Sequence, residues 1–145
     1  MRWSKLKQQV EAMFADEVRG RVELRTTRYE KAHDRYGRSW ITVDGRDVLS
    51  MSNYQVWATV GCEDDPARFE VGAFCGYELP RAMREYLTLS IDEAIASRHP
   101  LIRALAALDR RTGRRRLARF DLTNEVPVVK ELLALRGCVA DAPAV

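Results

Sequence analysis

The sequence predicts an α+β fold, with an N-terminal helix on a small, mainly antiparallel sheet and a helical C-terminal half. Three observations predict it. Asp44-Gly45 sits between two β-rich runs, Trp40-Ile41-Thr42-Val43 and Arg46-Asp47-Val48-Leu49, and both residues of such a turn need positive φ, which makes the pair a strong hairpin signal over residues 40–49. Apolar residues recur at helical spacing in residues 4–15 and again from Pro80 onward. The 145 residues are 46% hydrophobic and 31% charged, enough to build one core and incompatible with a disordered chain.

Each element follows from its own pattern. In residues 4–15, Leu6, Val10, Met13 and Phe14 share a face with Trp3, opposite Lys5, Lys7, Gln8 and Glu11, and Ser4 is the expected N-cap. Gly20 opens a strand over residues 21–27, where apolar and charged residues alternate. The hairpin then pairs Val43 with Arg46, Ile41 with Val48 and Trp40 with Leu49 in a plain two-residue register. Residues 52–61 fit a helix or a strand equally. Residues 61–68 read as a loop, and Phe69 to Tyr77 as a short strand.

Pro80 suits a first helical turn, and Leu79, Met83, Tyr86 and Leu87 form a stripe behind it. Ser90 and Glu93 have the spacing of a capping box, ahead of Ile91, Ala94 and Ile95. Pro100 opens a helix with the stripe Leu101, Ile102, Leu105 and Leu108, which Gly113 breaks. Leu117 and Phe120 belong to a short helix. Asn124 is the expected cap of a last helix that turns Val128, Val129, Leu132 and Leu135 inward. Residues 100–108 and 127–135 are similar to each other at an offset of 27; two copies are too few for a solenoid, so they read as two amphipathic helices that both begin with proline. The whole reads as one domain over residues 1–137 and a loose tail over 138–145.

Composition excludes several function classes. No apolar run approaches the roughly 20 residues that span a bilayer, and no apolar run of signal-peptide length follows the N-terminus, so the expected location is cytoplasmic, away from membranes. Cys62, Cys75 and Cys138 are an odd, widely spaced set, and His33 and His99 lie 66 positions apart; structural zinc wants paired ligands at short spacing. The cysteines read as small apolar residues. Trp3, Trp40 and Trp57 read as core residues rather than a ligand cage. Glu63, Asp64 and Asp65 lack the ligand spacing of a calcium loop. No phosphate-binding glycine loop, nucleophile elbow or zincin motif occurs, and no metal or cofactor is expected.

The net charge of +3 hides an uneven distribution: +3 over residues 1–52, −4 over 53–99 and +4 over 100–145. Arg outnumbers Lys 20 to 4. Three stretches together carry a resemblance: Arg2 to Lys7, then Arg28 to Asp34 running on through Gly37 to Gly45, then His99 to Leu105 with Leu108 to Leu117. This pattern resembles a family of small, uncharacterised bacterial proteins over nearly the whole chain. Asn often stands in that pattern where this chain has His99, and Asn is the better helix cap. The resemblance implies a bacterial cytosolic protein and brings no activity with it.

Two constellations remain. Arg110, Arg111, Arg114, Arg115, Arg116 and Arg119 are opposed within their stretch only by Asp109. If the stretch is helical, 111, 115 and 119 line up, and so many guanidinium groups repel unless anions lie between them. The run is therefore either an anion or nucleic-acid surface or a solvated face paired with the acidic middle segment. Few aromatic residues flank it, so stacking on single-stranded bases is not expected. The second constellation is the loop with Arg28, His33, Tyr36 and Arg38. There His33 beside Asp34 would serve as acid or base, and Arg28 or Arg38 would stabilise an oxyanion. The leading expectation is a non-catalytic binding module that meets a protein or nucleic-acid partner through basic surfaces. A small metal-independent nuclease built on the His33 loop is the alternative.

Overall fold

The computed structural model describes residues 2–27, 37–61 and 65–138. Helix α1 (Trp3–Glu11) precedes three strands, β1 (Val22–Thr26), β2 (Ser39–Val43) and β3 (Arg46–Met51), which form an antiparallel sheet in the order β1-β2-β3. The seven remaining elements among the described residues are helices: α2 (Asn53–Val60), α3 (Ala67–Glu70), α4 (Glu78–Tyr86), α5 (Ile91–Ile95), α6 (Pro100–Leu108), α7 (Arg114–Leu117) and α8 (Pro127–Leu135). The α+β class and the division into a sheet half and a helical half are as the sequence predicts.

Helix α1 is shorter than expected at its C-terminal end. Residues 12–15 leave the helix because their backbone is used elsewhere: the Ala15 amide donates to Leu108 O at 2.7 Å and the Arg110 amide to Met13 O at 2.8 Å. Nor is Ser4 the cap. Arg2 takes the N-cap position with no side-chain bond, and Trp3, packed partly against the core, already lies inside the helix.

Alternation along β1 buries Val22 and Leu24 and exposes Arg25. As an edge strand β1 needs protection, and α1 supplies it. The Leu24 amide donates to Glu11 Oε2 at 2.9 Å, and Lys7 Nζ donates to Leu24 O at 2.9 Å. The two side chains also pair with each other at 2.7 Å.

The hairpin turn is the one expected, with Asp44 at φ 51° and Gly45 at φ 82°, the mirror-image turn whose twist matches that of the strands. The register beyond it differs. Val43 pairs with Arg46, but a bulge between Ile41 and Thr42 lets β3 carry one extra residue, so Ile41 opposes Leu49 and Trp40 opposes Ser50. Val48 is the residue left over, and the expected pairs Ile41–Val48 and Trp40–Leu49 do not form.

Residues 52–61 are a helix. Ser52 accepts from the Gln55 amide at 3.2 Å, and Gly61 closes α2 at φ 76°. The expected strand over Phe69 to Tyr77 is absent: Phe69 and Glu70 end α3, and the chain then turns at Gly72, φ 72°. The loop expected over 61–68 gives way to α3 at Ala67. The segment that follows presses on the sheet. Ser39 Oγ donates to Gly76 O at 2.5 Å, and a Cβ on Gly76 would lie 1.8 Å from Gly37 O.

The core lies in the helical half and reaches the sheet. Eight of the nine residues of α6 are buried, and α6 packs against α4, α5 and α8. The two proline-initiated helices α6 and α8 thus meet each other. The Ser90–Glu93 capping box forms in both directions, at 3.1 and 3.0 Å. Asn124 does not cap α8. Asp121 Oδ1 instead takes the Thr123 and Asn124 amides at 3.1 and 3.3 Å, and Val126 stands at the cap before Pro127. Arg136 closes the structure: its guanidinium, 7% exposed, donates to Ala107 O, Asp109 O and Thr112 O at 2.8, 3.1 and 2.7 Å, and to Glu17. Cys75 is buried, Cys138 packs half-buried against the core, and Cys62 and residues 139–145 of the expected tail lie outside the described residues.

Candidate functional site

The arginine run does not form one helix. Asp109 ends α6 in an extended conformation, Gly113 stands at the N-cap of α7, and only Arg114, Arg115 and Arg116 of the run are helical. The alignment of 111, 115 and 119 on a single face therefore fails, because the chain turns between 109 and 113. The turn is held from within: Thr112, fully buried, donates to Ala106 O at 2.6 Å, and Arg136 takes the Thr112 carbonyl.

Five of the six guanidinium groups divide into three kinds. Arg111 is an anchor. It grips Asp109, 1% exposed, through Nε at 3.1 Å and Nη2 at 2.8 Å, while its amide donates to Asp109 Oδ1 at 2.8 Å. Tyr86, buried in the α4 stripe, donates its hydroxyl to Asp109 Oδ2. Burial alone would push the Asp109 carboxyl up, but the Arg111 and Tyr86 hydrogen bonds outweigh it and hold the group below its usual range. The same geometry pushes the Tyr86 hydroxyl up, through burial first and the neighbouring carboxylate second.

Arg116 and Arg119 are the second kind. Both reach Asp92 on α5, at 3.0 and 2.7 Å, and together hold its carboxyl below the usual range. All three side chains are 40–54% exposed, so these pairs orient α7 on α5 and add little stability. Arg114 and Arg115 are the third kind: they are exposed and have no ion pair or hydrogen-bond partner among the described residues. Arg110 stands between the kinds, exposed, with one long contact of 3.4 Å to Ala12 O.

Of the second constellation only Arg38 is described; Arg28, His33 and Tyr36 lie outside the described residues. Arg38 is engaged on the hairpin surface. It donates to Ser50 Oγ at 2.8 Å and Asp47 Oδ2 at 2.5 Å, and its guanidinium carbon sits 4.5 Å from the Trp40 ring centre.

A third cluster carried no signal in the sequence beyond the cap position of His99. Glu78, buried at the start of α4, accepts Arg68 in a fork at 2.5 and 2.7 Å and the Cys75 amide at 2.6 Å. Beside it His99 is the N-cap of α6. Its Nδ1 accepts from the Leu101 amide at 3.2 Å, and its ring lies 5.0 Å from that of Phe69 and 5.9 Å from that of Phe74. Burial pushes the His99 imidazole down. These groups join α3, α4 and α6, and Arg68 and the Cys75 amide satisfy the Glu78 carboxylate. Among the described residues no three His, Cys, Asp or Glu side chains cluster as metal ligands, and no helix is long and apolar enough to cross a membrane.

Trp57 corrects another expectation. Trp3 and Trp40 are half-buried, but Trp57 is 59% exposed on α2, with Tyr54 80% and Val71 54% exposed. Only Val56 of α2 is buried, in a small cluster with Ala73 and Cys75 that is separate from the main core.

The family model of the SF0329 protein family matches residues 2–68 and 62–137 of the chain. No curated protein and no solved structure matches it.

Proposed function

We propose that this chain, which belongs to the SF0329 protein family, is a non-catalytic interaction module that meets an acidic protein surface through its basic face, in a bacterial cytoplasm. The observation that supports this reading is the division within the arginine run. Arg111, Arg116 and Arg119 are held by acids of the same chain, which leaves Arg114 and Arg115 as the exposed pair of the run with no partner among the described residues.

The number of uncommitted guanidinium groups in the run favours a protein partner. Salt-dependent duplex binding rests on about 6–10 phosphate contacts, each releasing about 0.9 counterions. Two or three guanidiniums would give a slope near −2 to −3 and little affinity at physiological salt. A protein surface needs only two carboxylates placed for two arginine forks, where planarity and paired donors give specificity without high charge.

The test is capture from native lysate by the full chain and by an Arg114→Ala/Arg115→Ala variant, scored by mass spectrometry and by the 260/280 nm absorbance ratio. The expected result is a set of acidic proteins held by the wild type and lost by the variant, with no nucleic acid. Co-purified nucleic acid released along a steep salt slope, or identical capture by both proteins, would overturn the reading.

A further inference from the structure

We infer that the outer face of α2 is a second docking surface, independent of the arginine face, and that it takes a basic segment of a partner protein with an arginine or lysine beside an apolar side chain. Tyr54 and Trp57 are three positions apart on one helix and so share a face. Val71 follows α3, which packs against α2. These are the exposed large hydrophobic side chains among the described residues. Two large aromatics left open on one helix face are unusual for a surface without a partner, and Trp and Tyr dominate the energetic centres of interfaces.

The charge around the patch selects its occupant. Glu70, directly before Val71, is exposed and has no ion pair among the described residues. Asp65 is also outside the ion pairs described, with one carboxylate oxygen engaged by the Ala67 amide at 2.9 Å. Arg68, between them in sequence, is turned inward onto Glu78 and lies over the Phe69 ring at 4.4 Å. The α3 segment that packs against α2 therefore carries two acids outside the ion pairs described and an arginine that is turned inward. A second copy docking face to face would bring like charges together, which disfavours that pairing. A basic segment satisfies both parts at once, since a cation can lie over an indole or phenol ring and meet a carboxylate at its edge. The chain makes such a stack within itself, Arg38 over Trp40.

The experiment is selection of a random 12-residue peptide library on the full-length chain, followed by affinity measurement of the enriched peptides. Enriched sequences are expected to carry Arg or Lys next to an apolar residue. Trp57→Ala should weaken them about tenfold, and Glu70→Lys should weaken basic peptides severalfold. Both positions are exposed, and an unchanged thermal midpoint in each variant keeps the comparison free of folding effects. No enrichment, an acidic or uncharged consensus, or equal binding by Trp57→Ala would overturn the inference. So would sedimentation showing a dimer of the wild type that Trp57→Ala dissolves, because the occupant would then be a second copy.

Discussion

Arg111 closes a two-point fork on Asp109, two residues away, and so turns the end of α6 into a bound carboxylate with Tyr86 on its other side. Four donors, the Tyr86 hydroxyl and the Nε, Nη2 and amide of Arg111, converge on one buried anion. Asp109→Ala would leave the Tyr86 hydroxyl and the Arg111 amide without their acceptor, at a cost of about 3 kcal/mol. Arg111→Ala should also destabilise the fold, while Arg114→Ala and Arg115→Ala should leave it within about 0.5 kcal/mol. Urea unfolding of the four variants checks this. Equal stability of Arg111→Ala and Arg115→Ala would contradict the anchor role.

His99 makes stability depend on pH in a stated direction. Its folded-state affinity for protons is lowered from the ordinary 6.5, because burial disfavours the imidazolium. Between the folded value and 6.5 the unfolded chain binds more protons, so stability is full above about pH 6.5 and falls as pH drops below it. Protonation also removes the Nδ1 acceptor for the Leu101 amide. His99→Asn keeps a capping acceptor and has no such titration. The difference between the two unfolding free energies should therefore grow as pH falls from 7.5 to 5.5, and parallel curves would refute it.

Ser90→Ala should lower stability by about 1 kcal/mol, since the Glu93 amide loses its partner at the start of α5. Glu93→Gln should preserve much of the box, because the amide oxygen can still accept from the Ser90 amide. Thermal midpoints that order the two variants the other way round would count against the reciprocal cap.

Gly45 and Gly76 should be intolerant for opposite reasons. At Gly45 there is open space but φ is 82°, so Gly45→Val should cost about 1–3 kcal/mol in backbone strain. At Gly76 the limit is space, with Gly37 O 1.8 Å from where a Cβ would stand. Gly76→Ala should force the backbone apart, costing about 2 kcal/mol or more. Denaturation midpoints equal to wild type would show that the Gly37–Gly76 approach does not form.

What was legible in the sequence was local. Asp44-Gly45, the Ser90 box and the prolines that begin α6 and α8 each carry their geometry within four residues. The bulge at Val48 was hidden because Val48 and Leu49 are both apolar, so either register puts a plausible partner opposite Ile41. The helix over 53–60 was ambiguous because Val56 is its one buried side chain, and a single buried position sets no period. For the same reason Trp57 read as core. In the arginine run, the spacing counted charges but could not show that Asp109 is buried. One signal was available: a tyrosine hydroxyl within an inward-facing stripe demands an acceptor nearby in the fold.

The contacts of Arg136 set an order of events during synthesis. Residues 13–17 emerge early, yet their partners are residues 108–110 and, 119 positions beyond Glu17, Arg136. At about 5–20 residues per second the wait between those two lasts roughly 6–24 s. Until residues 108–110 are made, the segment around Phe14 lacks its backbone partners. Closure is thus a late event that joins Glu17 to Arg136.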